Sequence, residues 1–264
     1  MSGRLREIAR QTVEIAERGF YTSAKDQQVS IASAVEEAMH GTRLYGPQDS
    51  VAQGRRVDGP PAIEVTHEST LEAARRVGEG AATLVFASAK NPGGGFLGGA
   101  QAQEESLARA SALYACQRTA PEFYAFHREQ RDLRYSDRVI YSPGVPVFRD
   151  DKGRLLDAPF RTAFLTAAAP NLGALLRNQR KDAGDVPAVL RRRATRVLRI
   201  AAAHGHRTLV LGAWGCGVFA NVPAEVAAAF KAALLEVPCF DRVVFAIYDR
   251  LPHTPVYAAF AAAS

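Results

Sequence analysis

Short apolar runs alternate with amphipathic stretches along most of this chain, and that alternation leaves few folds open. From Pro61 onward, "AIEVT" reads as a strand, "STLEAARRVGEG" as a capped helix and "ATLVFASA" as a buried strand. A helix is expected from about Gln103 to Arg118. "RVIYSP" and "AFLTAAAP" read as two strands joined by a long connection, and "PAVLRRRATRVLRIAAAHG" as a helix that stops at Gly205. "RTLVLGAW" is a strand, "PAEVAAAFKAALLE" a helix with Pro near its first turn, and "DRVVFAIYD" a last strand. Apolar strands separated by amphipathic helices specify an α/β domain whose central sheet is covered on both faces. Upstream, Leu5, Ile8, Thr12, Val13, Ile15 and Ala16 keep helical spacing, and a second helical stretch covers about 30–39. Residues 41–61 are rich in Gly, Pro and charge and read as loop. The expected organisation is one domain over 1–264, with a helical extension in 1–60 packed on a core in 61–264.

The chain has 264 residues, 47% of them hydrophobic, enough to bury a sizeable core. No apolar run reaches the roughly 18 residues of a membrane span. The N-terminus has no apolar h-region, and its arginines are interleaved with Glu7, Glu14 and Glu17, so neither a secretory signal nor a transit peptide is expected. Cys116, Cys216 and Cys239 are odd in number and widely spaced, which suggests neither a disulfide framework nor a zinc cluster. A soluble protein of a reducing, cytoplasmic compartment fits these features. The formal charge of +6 points to an anionic partner or to a solvated basic surface. "RRRATR", Arg191–Arg196, is the densest basic run and lies on an expected helix.

Glycine is concentrated in two loops, each just after an apolar strand. One is Pro92–Gly99, where five glycines fall within seven residues; the other is "GAWGCGVF", Gly212–Phe219. Ligands of such sheets bind beyond the carboxyl ends of the strands, so both loops stand where a ligand is expected. Successive glycine amides form a nest for an anion, and a following helix adds its positive end. Gly93–Gly98 satisfies G-x-G-x-x-G, but "AKNP" separates it from the strand, and 111–125 contains no second strand ending in an acid. That argues against a nicotinamide dinucleotide site. No Gly-Lys-Ser/Thr follows, which excludes a Walker loop. A glycine turn used only for packing is the plainer alternative.

Gln103-Glu104-Glu105 follows the first loop. Adjacent helix residues point about 100° apart, so the two carboxylates cannot face each other as in the usual glycosidase pair. A division of labour is the alternative, one Glu reaching the reacting bond while the other grips sugar hydroxyls. A carboxylate held beside a diphosphate and away from water has its pKa raised, which suits a general acid. An ordinary acidic first turn complementing the helix dipole is the competing explanation.

The triple glycine, seven residues and then Gln-Glu-Glu, "GGGFLGGAQAQEE", resembles the signature of poly(ADP-ribose) glycohydrolases of the bacterial type. The likeness extends through "VTHESTLEAA", "VIYSPGVPVFRD", "LTAAAPN" and "LVLGAWGCGVFANVP", roughly residues 60–250. The resemblance implies a three-layer macrodomain, a central mixed sheet between helices. It implies hydrolysis of the ribose–ribose O-glycosidic bond of poly(ADP-ribose), acting from chain ends and releasing ADP-ribose, without metal or other cofactor. Glu105 would be the acid that protonates the departing ribose oxygen and then activates water. Glu104 would hold the hydroxyls of the reacting ribose, assisted by Asn91. Gly93, Gly94 and Gly95 would approach the diphosphate, and Gln103 would lie near the sugar. Gly215, Cys216, Gly217 and Val218 would form the second wall, with Cys216 giving its backbone N–H and no nucleophile, and Phe219 would order the terminal ribose. Glu68 would read the adenine amine unless it caps the following helix, and His67 would have no role. The partners implied are the polymer, its ADP-ribose product and ADP-ribosylated proteins, with no membrane or direct nucleic-acid contact, on a monomeric protein. A non-catalytic ADP-ribose reader and a hydrolase of mono-ADP-ribosylated targets are the competing functions.

Overall fold

The computed structural model describes residues 3–263. The first amphipathic stretch forms α1 (Gly3–Arg18), which buries Ala9, Thr12, Ile15 and Ala16. A small hairpin of β1 (Phe20–Thr22) and β2 (Gln28–Ser30) follows, and then α2 (Ala32–Gly41). The segment expected to be loop holds a strand, β3 (Arg43–Tyr45), which pairs antiparallel with residues 139–141. The N-terminal sixty residues therefore contribute hairpin and sheet as well as helix. Three residues are too few to carry a period-2 pattern, and here the edge position comes from the partner strand.

β4 (Ala62–Thr66) leads into α3 (Thr70–Val77), whose start is fixed by a capping box: Glu72 N–H donates to the Ser69 hydroxyl and Ser69 N–H to the Glu72 carboxylate. β5 (Ala81–Phe86) is buried along nearly its whole length. After the glycine loop, with a 3₁₀ turn at Phe96–Gly98, the expected single helix is broken into α4 (Gln103–Ala110) and α5 (Leu113–Arg118). The break is at Ser111, which makes a β-bridge to Val147 and donates its hydroxyl to Leu107 O. α6 (Pro121–Glu129) completes this layer.

β6 (Val139–Arg149) and β7 (Leu155–Ala167) are far longer than expected and form one hairpin, closed by a turn in which Asp150 N–H donates to Arg154 O at 3.0 Å. The expected long connection is thus strand. Pro143 and Gly144 sit in a bulge between Ser142 and Val145, where a missing N–H and a positive φ (51° at Gly144) are tolerated. The chain ends with α7 (Leu172–Asn178), a 3₁₀ turn (Arg180–Asp185), α8 (Val186–Ala203), β8 (Thr208–Leu211), α9 (Pro223–Glu236), β9 (Arg242–Ala246) and α10 (Pro255–Ala263).

The seven-stranded sheet has the order β3-β6-β7-β5-β8-β9-β4. β7, β5, β8, β9 and β4 are mutually parallel, and β6 is antiparallel to both its neighbours, so the sheet is mixed. Leu209 and Leu211 of β8 join a core with α8 and α9, whereas Val210 joins Ala73 of α3 on the opposite face. Val35, Leu107, Leu113 and Cys116 from α2, α4 and α5 close a further core against Val145, Val147 and Phe164. This is the expected three-layer α/β macrodomain arrangement.

α1 reaches the region beyond the strand ends. Its Ala9 packs with Phe96 and Ala108, all three fully buried. Buried Thr12 donates its hydroxyl to Arg109 O at 2.7 Å and accepts from Arg149 Nε at 3.0 Å. Thr12→Val keeps the shape and leaves both partners short of a bond, one of them a charged group. The substitution is expected to cost about 1–3 kcal/mol, read as a lower urea midpoint with an unchanged m-value.

Candidate active site

β5 pairs with β7 as far as Phe86, but its pairing with β8 stops at Thr83. The exposed edge beyond is taken by a side chain. Gln103 accepts from Phe86 N–H at 2.8 Å and donates to Leu84 O at 2.7 Å, so its carboxamide stands where the next residues of β8 would have been. A second donation, 3.2 Å to Thr70 Oγ1, ties in α3. Gln103, expected near the sugar, therefore anchors the start of α4 to the end of the central strand.

That anchorage sets the direction of the next two side chains. Glu104 turns inward and is 2% exposed, with Oε2 accepting from Ser88 N–H at 2.6 Å and Oε1 from Gln117 Nε2 at 2.9 Å. Burial pushes its carboxyl up to about 8, against the opposing pull of the Ser88 and Gln117 donors. Glu105, half-buried, turns toward the glycine loop and accepts from Gly95 N–H at 3.0 Å. The two carboxylates still converge on one residue. A Cβ on Gly94 would lie 3.1 Å from Glu104 Oε2 and 3.0 Å from Glu105 Cδ, and closer still to Glu105 Oε1. With φ of 58° as well, Gly94 admits no side chain.

The amides of this loop are already committed. Gly93 N–H donates to Gln117 Oε1 at 2.7 Å, Gly94 N–H to Asn91 O at 3.0 Å and Gly95 N–H to Glu105. Gly93–Gly95, expected to approach a diphosphate, thus hold no free amide, and they let the backbone fold tightly over two carboxylates. Asn91 opens the loop with an exposed side chain, and its N–H donates to Ser88 Oγ at 3.2 Å.

The second loop differs. Trp214 is pinned by its indole N–H to Ala167 O at 3.0 Å, and Gly215, at φ 74°, packs against Ala169 and Asn221. Cys216 N–H donates to Ala213 O at 3.1 Å, so the expected free amide at Cys216 is taken. Burial pushes the Cys216 thiol up to about 12, which agrees with its having no nucleophilic role. Among the described residues, the amides of Gly217, Val218 and Phe219 have no intramolecular acceptor, and Gly217 and Val218 are exposed. They leave a run of unpaired N–H donors, the kind of array that binds anions elsewhere. The Phe219 carbonyl accepts from Gly173 N–H at 2.9 Å, and its ring lies 5.9 Å from that of Tyr135. Gly212 lies where strand ends crowd together: a Cβ there would meet Ala246 O at 2.7 Å and the Phe86 ring at 2.9 Å.

Residues 9–150 match the family model described as the catalytic domain of microbial-type PARG, the poly(ADP-ribose) glycohydrolases. The chain belongs to this family. It is similar over 100% of both chains, at 50% identity and a TM-score of 0.93, to the crystal structure of poly(ADP-ribose) glycohydrolase from Thermomonospora curvata. The structure of that enzyme bound to the inhibitor ADP-HPD matches at 51% identity over 99% of both chains, with a TM-score of 0.88. The enzyme from Deinococcus radiodurans in complex with ADP-ribose matches at 44% identity and a TM-score of 0.82, over 89% of this chain and 98% of that one. No curated protein matches the chain significantly.

In this family member a cavity of about 730 Å³ lies on the Gln103 side of the site. Phe86, Ala213 and Ala246 at the strand ends form part of its lining, with Ser69 and Thr70 beside them and Tyr248 and Arg250 opposite. Glu104 and Glu105 do not line it, so the volume adjoins the carboxylates without containing them. Glu68, expected at an adenine site, does not line it either. Its carboxylate accepts from Arg76 at 2.7 and 2.9 Å, and that guanidinium holds it below the usual range. Helix capping falls to Ser69, and His67 stacks on Tyr257 with ring centroids 3.7 Å apart. Sequence reasoning missed Tyr248 and Arg250, although an aromatic and a cation just past the last apolar strand were the available signal.

The displaced pKa of Glu104 makes a stability prediction with a definite sign. The folded protein keeps this proton to about pH 8, whereas the unfolded chain loses it near 4.5. The favourable contribution is complete below 4.5 and is lost as pH rises to about 8. The unfolding free energy of wild type relative to Glu104→Gln is expected to fall across that window in urea titrations at successive pH values.

Proposed function

We propose that this chain is a poly(ADP-ribose) glycohydrolase that cleaves the ribose–ribose O-glycosidic bond and releases ADP-ribose from chain ends. The observation that carries the reading is the convergence of Glu104 and Glu105 on Gly94, beside a loop with open amides. Family membership and likeness to enzymes crystallised with ADP-ribose and with ADP-HPD support the same substrate.

In this reading Glu105 is the general acid. One oxygen is held by Gly95 N–H, and among the described residues the other has no donor. It protonates the departing ribose oxygen as positive charge grows on the anomeric carbon, then takes a proton from the attacking water. Glu104, neutral at pH 7 and locked at both oxygens, presents its remaining lone pairs or its proton to the ribose hydroxyls. Gly217, Val218 and Phe219 give their amides to the diphosphate, whose charge is stabilised by donors that need no rearrangement. The adenosine occupies the cavity between Thr70 and Tyr248. Asn91 reaches the sugar from the loop edge, and Phe219 closes on the terminal ribose.

The whole of 1–264 acts as one catalytic unit, a reading supported by β3 in the main sheet and by α1 beneath Phe96. It works as a monomer in the cytoplasm, on polymer attached to proteins, with no added metal. No helix among the described residues is long and apolar enough to cross a membrane.

Purified protein given poly(ADP-ribose) in EDTA is expected to release free ADP-ribose. Glu105→Gln should lower kcat by at least 10³-fold, while its ADP-ribose affinity by calorimetry stays within about threefold, because the amide oxygen still accepts from Gly95. Tight ADP-ribose binding by wild type without turnover would select a reader instead.

A further inference from the structure

One buried side chain joins the parts of this site and is not accounted for by the chemistry above. Gln117, in α5, is fully buried. Its carboxamide accepts from Gly93 N–H at 2.7 Å, donates to Glu104 Oε1 at 2.9 Å and makes a longer contact, 3.4 Å, with Thr166 Oγ1 of β7. The partners lie 24, 13 and 49 residues away in sequence, so the group serves no local cap or turn. The partners themselves fix the orientation of the amide, since a backbone N–H on one side requires oxygen there and a carboxylate oxygen on the other requires NH₂.

We propose that Gln117 is a positioning residue for the hydrolytic step: its carboxamide sets the register of the glycine loop against Glu104, and through the loop it holds Glu105 in place. This rests on the glycohydrolase reading. The chain of contacts is short. Gln117 fixes Gly93, Gly94 lies against both carboxylates, and Gly95 N–H holds Glu105 Oε1. No other side chain type fills the role in full. Met in its place leaves Gly93 N–H and Glu104 Oε1 without partners. Glu in its place accepts from Gly93 N–H but has no NH₂ to give Glu104 Oε1, and so sets two acceptor oxygens against each other. Gln117 makes no contact with the amides of Gly217–Phe219, so the grip on the diphosphate does not depend on it.

The test compares wild type, Gln117→Met and Gln117→Glu for steady-state release of ADP-ribose from the polymer, ADP-ribose affinity, thermal midpoint and deuterium exchange of residues 91–99. Gln117→Met is expected to lower kcat by about 10–100-fold, with KM and ADP-ribose affinity within about threefold and faster exchange confined to the loop. Gln117→Glu should lower kcat at least as far. A kcat equal to wild type in both variants overturns the proposal. So does a loss that follows the folded fraction alone, with exchange in 91–99 unchanged. If wild type itself releases no ADP-ribose, the glycohydrolase reading fails, and the exchange measurement still decides whether Gln117 registers the loop.

Discussion

The rest of the site depends on the edge of β5 that β8 leaves unpaired. A strand that outruns its neighbour presents an N–H and a carbonyl to a gap, and two such groups buried without partners are costly. The Gln103 carboxamide satisfies both. The bond does more than repair the ladder. It makes the first turn of α4 begin at the carboxyl end of the central strand, so Glu104 falls beside Ser88 and Glu105 beside Gly95. The gap between β5 and β8 is also where Phe86 and Ala213 open onto the adjoining cavity. The cleft and the orientation of the acids thus have a single origin.

The two glycine-rich loops divide the work in a way their composition does not suggest. Both follow parallel strands, and both carry glycines at positive φ. In the first, the amides face inward and are used up on Gln117, Asn91 and Glu105, so absence of a side chain matters there for close packing. In the second, Gly215 makes the tight turn and the following amides stay open. Rigidity is supplied from below in each case, by α1 through Phe96 for the first loop and by the Trp214–Ala167 bond for the second.

Much of this was legible in the sequence, and the exceptions have identifiable physical causes. Alternating apolar strands and amphipathic helices were enough for the layered fold and for placing both loops beyond strand ends, and the family resemblance carried by the spaced Gln-Glu-Glu singled out the two carboxylates that the fold brings to Gly94. β3 escaped notice because three residues hold no pattern, and the break at Ser111 because a tertiary bridge to Val147 overrides a continuous helical period. The length of the β6–β7 hairpin was hidden by prolines that a bulge accommodates. The pairing of Glu68 with Arg76, eight residues further on, had no local pattern to announce it. Gln117 carries no local signal at all, since its importance lies wholly in partners distant along the chain.

The separation of the two loops along the polypeptide has a consequence for biosynthesis. Glu105 and its glycine cover leave the ribosome well before β8 and the open amides of Gly217–Phe219. Domains take shape as the chain emerges, so a nascent or prematurely terminated product carries the paired carboxylates without the second loop. Only the last third of translation supplies the strand and the loop that complete this arrangement, so a shortened chain holds half of it.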